Sequence, residues 1–307
     1  AVLIIAVAGA LSLMYNGEAE EKQGWFGQSP VRTQFSVFAT YGRTTIWGEK
    51  RKARKVTETV EKQLRKFQNH INVYNPRSEI SQLNRQAYET PFQCSEPLWQ
   101  IMVRSREAYR QTNGAFDVSV GPLMELWGFY GEHAKRPSHA AIQRRLQRVG
   151  FENVQLEEQA QAVAFDKQGM AMDFGGIAKG YALAQARKVL LSSGISRAII
   201  DLGGNVCVLS DPPPGRNAYH VGIRDPFRKE RLLGKVKVRD RTVATSGDYE
   251  NIRKIGDQVV SHIMDPKTGR FVKNMASVTV ITENPVDSDV FSTGVFVNGP
   301  SLARKLC

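Results

Sequence analysis

At 307 residues, with 41% apolar and 9% aromatic content, the chain is long enough to bury a substantial core and too apolar to be disordered throughout. Its formal net charge of +12 points to an anionic partner: nucleic acid, an anionic membrane surface or a phosphorylated small molecule. Three cysteines, Cys94, Cys207 and Cys307, are too few and too scattered for a disulfide framework or a thiolate metal site.

The run Ala1–Met14 is apolar and gives way to a polar, acidic stretch. At this length it resembles a signal-peptide core or the tail of a membrane anchor, not a complete span. An exported protein is therefore expected, periplasmic or anchored at the inner membrane and facing the periplasm. Residues 15–34 form a polar linker containing Pro30, and Phe35–Trp47 is β-prone, interrupted at Tyr41–Thr44. Val56, Val60, Leu64, Phe67 and Ile71 recur at steps of four and three, predicting a helix that ends before Asn75-Pro76. The densest basic run, Lys50–Lys55, opens that helix. A solvated helix face accounts for it, and no strong nucleic-acid motif accompanies it.

Ser95 is placed to N-cap the next helix, with Pro97 in its first turn and Asn113-Gly114 closing it. An aromatic stretch, Leu126–Tyr130, precedes a further helix that starts at Ser138 and stops at Gly150. From Val154 the pattern becomes mostly β, with strand-like runs at 154–156, 162–165, 169–173, 197–202, 205–209, 219–224, 233–238, 242–246, 258–264 and 275–282. One helix intervenes up to Gly194, and the last covers about 286–297. Helices dominate the first half and strands the second, which argues for an α+β fold with antiparallel sheet.

The stretch Asp173-Phe-Gly-Gly-Ile-Ala-Lys-Gly180 joins a β-like run to a helix start. Adjacent glycines permit a tight turn and close approach to backbone, and the helix N-terminus aims N–H groups into the same space, a setting for an anion. Asp289, Ser292 and Thr293 fall at i, i+3 and i+4 of the last helix, so their oxygens share a face. Hard oxygens suit Mg²⁺, although an Asp near a helix start is more commonly a cap or dipole partner. His262, at the end of a strand-like run, is either a general acid/base or a loop hydrogen-bonder. Asp201-Leu-Gly-Gly-Asn205 echoes the central stretch, and both are either Gly-rich strand ends facing one cleft or ordinary turns. Neither matches a dinucleotide fingerprint or a P-loop.

Taken in order, these words resemble the ApbE family, the FAD:protein FMN transferases. The matching stretches are Tyr74-Asn-Pro-Arg-Ser-Glu-Ile-Ser81, Gly114-Ala-Phe-Asp-Val-Ser-Val-Gly-Pro-Leu123, Asp173-Phe-Gly-Gly-Ile-Ala-Lys-Gly-Tyr-Ala182 and Asp201-Leu-Gly-Gly204. They continue with Ala244-Thr-Ser-Gly-Asp-Tyr249, Ser261-His-Ile-Met-Asp-Pro266, Ser277-Val-Thr-Val280 and Asp289 to Thr293. Each word is weak alone; eight in this order are specific.

The resemblance implies a T-fold-like catalytic unit that moves FMN from FAD to a Ser or Thr hydroxyl of a partner redox protein, releasing AMP, with Mg²⁺ as cofactor. It implies metal ligands at the Gly176 carbonyl, Asp289, Ser292 and Thr293. Flavin and nucleotide contacts would come from Tyr41, Tyr74, Ala115, Phe116, Asp117, Asp173, Lys179 and Ile263, and His262 would assist proton transfer. FAD hydrolysis to FMN and AMP, and non-catalytic flavin binding, are the competing readings; no nucleic-acid partner is expected. Two departures stand out. Tyr41-Gly42-Arg43 replaces the family's usual Met-Gly-Thr, and Ser288-Asp-Val-Phe-Ser-Thr293 replaces Ala-Asp-Ala-Leu-Ala-Thr. Family members also usually continue beyond this C-terminus.

Overall fold

The computed structural model describes residues 3–7, 29–131, 136–228, 230–248, 253–255, 258–273 and 275–307. In chain order, β1 (Leu3–Val7), β2 (Val31–Val37) and β3 (Thr40–Ile46) precede the helix-rich part. That part contains α1 (Lys50–Ile71), α2 (Glu79–Gln86), β4 (Phe92–Gln93), α3 (Glu96–Gln111), α4 (Gly121–Leu126) and α5 (His139–Leu146). Strands β5 (Val154–Glu157) and β6 (Ala162–Phe165) lead to α6 (Ala178–Ser192). Next come β7 (Ala198–Leu202), β8 (Asn205–Val208), β9 (Tyr219–Arg224), β10 (Leu232–Val238) and β11 (Arg241–Gly247). Short β12 (Arg253–Ile255), β13 (Gln258–Val260), β14 (Met264–Asp265) and β15 (Arg270–Phe271) precede β16 (Ser277–Thr282). The chain ends in α7 (Pro285–Asn298) and α8 (Pro300–Leu306).

The main sheet has seven strands in the order β1-β16-β11-β8-β7-β3-β2, every pairing antiparallel. The α+β expectation is met. Both faces of its central strands are covered, which is why β7 and β8 are apolar without alternation. Ile200, Cys207 and Val280 join the large cluster built with α1, α3, α6 and α7. Their neighbours Ile199, Val206 and Ile281 pack instead with Tyr219, Val221 and Val238 of the β9–β10 hairpin. A third cluster joins Leu123, Trp127 and Ile142 to Met264 and Phe271.

The α1 stripe is buried as its spacing predicts, while Lys50, Arg51, Lys52, Arg54 and Lys55 are exposed. Within the apolar N-terminal run, Leu3–Val7 pairs with Ser277–Ile281 as an edge strand; residues 1–2, 8–28 and Tyr249 lie outside the described residues. Among the described residues no helix is long and apolar enough to cross a membrane. The three cysteines are free.

Several local expectations are corrected. The break in the first β-prone run falls at Phe38-Ala39, both at positive φ, and Tyr41–Thr44 lies inside β3. Gly42 survives in that strand because Phe35, its cross-strand partner, fills the space: a Cβ on Gly42 would stand 2.3 Å from the Phe35 ring. Residues 169–173 form only a single parallel bridge, Val120 with Ala171. The Asn84 side chain takes both backbone groups of Met172, donating to its carbonyl at 3.0 Å and accepting from its N–H at 2.7 Å, so no ladder forms there. The run 258–264 divides into β13 and β14. Ser138 caps α5 as expected, though that helix ends at Leu146. Ser95 sits at the N-cap of α3, yet its hydroxyl donates to Glu79 Oε2 at 2.6 Å.

Helices α6 and α7 approach closely at Gly180. A Cβ on Gly180 would lie 2.6 Å from the Pro285 carbonyl oxygen and 2.7 Å from Asp289 Cβ. Gly180→Ala is therefore expected to cost about 1–3 kcal/mol by overpacking, read as a lower denaturant midpoint. Gly48→Ala, with nothing within 4 Å of the new methyl, should stay within about 0.5 kcal/mol of the parent.

Candidate active site

The glycine at 180 lets α7 lie against the first turn of α6, which places a carboxylate on the helix N-terminus. The Gly180 N–H donates to Asp289 Oδ2 at 2.7 Å, and the Lys179 N–H also acts on this carboxylate. Asn205, the first residue of β8, donates its Nδ2 to Asp289 Oδ1 at 2.7 Å. The anion expected at this helix start is thus supplied by the chain itself. Burial pushes the Asp289 carboxyl up, while the Lys179 charge, the amides and Asn205 oppose that rise.

Asn205 reaches this position because Gly203 and Gly204, both at positive φ, make the tight turn between β7 and β8. The two Gly-rich words therefore converge on one carboxylate. Thr293, one turn beyond Asp289, packs beside the other half of the site: a Cβ on Gly176 would lie 3.4 Å from Thr293 Oγ1 and 3.0 Å from the Phe116 ring. Ser292 stands next to Thr293 on α7. Its buried hydroxyl donates to the Asp289 carbonyl at 2.9 Å and pairs with Ser246 of β11 at 2.9 Å. Ser246 also reaches Thr293 Oγ1 at 3.3 Å.

Among the described residues no group of three His, Cys, Asp or Glu side chains gathers, so a nitrogen- or sulfur-rich metal centre is not present there. One buried carboxylate, a threonine hydroxyl and a backbone segment lacking a Cβ fit a hard cation that retains waters and substrate oxygens. The Asp289 carboxylate offers about four lone-pair sites and meets three N–H groups, which leaves it room for one further partner.

A second group surrounds Asp173. Its Oδ1 accepts from Gly175 N–H at 2.7 Å and its Oδ2 from the Tyr130 hydroxyl at 2.5 Å. Tyr130 lies edge-on to Tyr74 with ring centroids 5.8 Å apart, and Tyr74, 67% exposed, presents an open aromatic face at the surface. Burial and Asp173 push the Tyr130 phenol well above its usual value, so it stays protonated and donates.

Tyr41 belongs to a third group, on β3. It hydrogen-bonds Asp201, and burial together with that carboxylate raises its phenol to about 12. Arg43 lies over the Tyr41 ring at 5.5 Å, and the Arg224 charge at the end of β9 also acts on Tyr41. Burial raises the Asp201 carboxyl, against the Gly204 amide and the charges of Arg43 and Lys179. Lys179 thus acts on both Asp201 and Asp289, tying this group to the first.

Ala115, Phe116 and Ile263 are buried in the cluster that includes Phe174. Asp117 is committed to architecture. Its carboxylate accepts from the Ser119 and Phe151 amides at 2.8 and 3.2 Å, anchoring the loop that presents Phe116. His262 is half-buried between β13 and β14. The segment following it is tied to the rest by Lys267 Nζ on the Asn113 carbonyl at 3.0 Å and by Trp127 Nε1 on the Gly269 carbonyl at 2.9 Å. Asn205, Tyr130 and Ser246 are the site residues that sequence reasoning did not single out; the first and last stand within words already marked, beside residues of plainer chemistry.

The ApbE family model matches residues 33–307. The chain belongs to the ApbE family. It is similar to FAD:protein FMN transferase from Klebsiella pneumoniae (strain 342), 31% identical over 237 residues that cover 76% of this chain and 72% of that one. The Escherichia coli (strain K12) FAD:protein FMN transferase is 28% identical over 277 residues, 88% of this chain and 79% of its own. A crystal structure of an ApbE protein from Thermotoga maritima superposes with a TM-score of 0.84 at 29% identity, covering 91% of this chain and 90% of that one.

Asp117 gives this ApbE-family site a pH signature. Burial, first, and Glu152 lift its carboxyl from 3.8 to about 6, against the Ser119 and Phe151 hydrogen bonds. The protonated form is favoured on folding, so this contribution is full below pH 3.8 and lost as pH rises through 6. The stability difference between wild type and Asp117→Asn should therefore fall by up to roughly 3 kcal/mol between pH 4 and 7. Denaturant titrations of both proteins across that range check it, and a pH-independent difference would refute it.

Proposed function

We propose that the chain transfers FMN from FAD to a Ser or Thr hydroxyl of a partner protein and releases AMP. The observation that carries this reading is the family match over residues 33–307, in a chain whose Gly176 turn packs against Thr293 one helical turn from the amide-held Asp289. The acceptor hydroxyl oxygen bonds to the FMN phosphorus, and the bond from that phosphorus to the bridging oxygen breaks. The bridging oxygen leaves with AMP, and the hydroxyl proton passes to His262, the group assigned as base.

Gly176, Asp289, Ser292 and Thr293 would hold Mg²⁺, with the Ser246 hydroxyl bonded to the hydroxyls of both Ser292 and Thr293. When bound, the ion offsets charge on the pyrophosphate and on the departing AMP. Lys179 adds a fixed positive charge between Asp201 and Asp289, favouring an anionic substrate. Tyr74 and Tyr41 supply aromatic edges for a flavin, Tyr41 under the Arg43 charge that the family's usual threonine would lack. Ala115, Phe116 and Ile263 form the apolar wall, and Asp117 and Asp173 hold the loops that frame it. We place the protein outside the cytoplasm, as the apolar run Ala1–Met14 favours, acting on exported or membrane-bound redox subunits.

Incubation with FAD, Mg²⁺ and a candidate acceptor domain tests the reading. Covalent FMN on the acceptor is the expected result; FMN and AMP without labelled acceptor mean hydrolysis, and intact bound FAD means a binding protein. Asp289→Ala should abolish metal-dependent turnover, and unchanged turnover would sink the metal assignment. His262→Ala should slow transfer by about 10²–10⁴-fold with FAD affinity retained. Equal losses in transfer and binding would make His262 a structural residue.

A further inference from the structure

The β9–β10 hairpin covers one face of the main sheet, and its loop and the start of β10 carry two exposed large apolar side chains. Phe227 is 76% exposed and Leu233 is 47% exposed. Both are held outward by backbone structure. Asp225, buried, accepts from the Phe227 and Arg228 N–H groups at 2.9 and 3.2 Å, fixing the turn that lifts Phe227. The Asp225 N–H donates to the Arg231 carbonyl at 2.7 Å and closes the loop base. A register shift between Leu232 and Gly234 marks a bulge, which leaves Leu233 out of the ladder and turned to solvent.

Cations flank these two side chains along the chain. Arg228, Arg231, Lys235 and Lys237 are exposed on the loop and on β10, with Glu230 the one exposed carboxylate among the described residues of the loop. We propose that this hairpin end is a docking surface for an anionic lipid bilayer. An aromatic and a leucine set among lysines and arginines match the headgroup region, where apolar side chains enter and cations meet lipid charge. A protein partner is disfavoured because lysine is depleted at protein–protein interface cores, whereas here it alternates along the exposed strand. The net charge of +12 draws the whole chain toward such a surface.

The location ties docking to the candidate site. A bilayer bound at the tip would lie next to Arg224, the last residue of β9, whose charge acts on Tyr41. The inference deepens the proposed location and needs no part of the transfer chemistry.

Sedimentation of the full chain with vesicles of phosphatidylcholine, alone or mixed equally with phosphatidylglycerol, tests it without FAD. Binding to the anionic vesicles should weaken at least about tenfold in Phe227→Ser/Leu233→Ser and in Arg228→Glu/Arg231→Glu, and should weaken with added salt. Residues 1–14 remain in every variant, so their own lipid affinity cancels in the comparison. Phe227→Trp should shift its fluorescence to shorter wavelength on anionic vesicles only. Equal binding by wild type and both variants, or no Trp shift, overturns the proposal. Variants that bind vesicles normally but lose transfer to an acceptor domain assign the tip to that protein and also overturn it. Because FAD cleavage is assayed separately in solution, a failed vesicle test leaves the transferase reading standing, and a failed transfer assay leaves the lipid surface standing.

Discussion

Asp289 is a fully buried carboxylate held by two main-chain amides of one helix and by the side-chain amide of a strand residue. Removing a lone carboxylate from water is costly, and here the N-terminal end of α6 supplies both hydrogen bonds and a favourable dipole. This arrangement requires α7 to press against the first turn of α6, which the missing side chain at Gly180 permits. It also requires Asn205 to stand at the start of β8, which the Gly203-Gly204 turn permits. One electrostatic contact therefore fixes the relative placement of α6, α7 and the β7–β8 end of the sheet.

Around that contact the site divides by the sheet. Asn205, Asp289 and Thr293 belong to the side covered by helices, whereas Tyr41, Arg43 and Asp201 meet the β9–β10 hairpin side, where Arg43, Asp201, Val206 and Val221 border one small cavity. Lys179 acts on carboxylates of both groups, so the two sides join around the β7–β8 turn. Such a geometry places aromatic surfaces, the Lys179 charge and a buried carboxylate with neighbouring hydroxyls around one strand end. A larger cavity of about 800 Å³ lies beyond α4, α5 and β15 and shares none of these side chains.

Much of this was legible in the chain. The α1 stripe and the i, i+3, i+4 oxygens of α7 follow from helical spacing, and both appear where the period puts them. The Asp173–Gly180 stretch announces an anion site at a helix start, but its anion is Asp289, 109 residues from Gly180. Local chemistry carries no trace of a partner that distant. Spacing also groups Ser292 with Thr293, and the Ser246 hydroxyl, which no helical period announces, meets both at 2.9 and 3.3 Å. Where the strand pattern misleads, a side chain has replaced a main-chain partner, as Asn84 does at Met172, or has filled a glycine's gap, as Phe35 does at Gly42. Neither substitution leaves a periodic signal.

Asn205 and α6 orient Asp289, and the proposed Mg²⁺ site requires its remaining lone pair to face the ion. Calorimetric titration of Mg²⁺ into wild type and Asn205→Ala, with circular dichroism confirming that both are folded, tests this directly. Removing the orienting amide is predicted to weaken Mg²⁺ binding by roughly 10–100-fold. Equal affinity in the two proteins, or no Mg²⁺ binding by wild type, would contradict it.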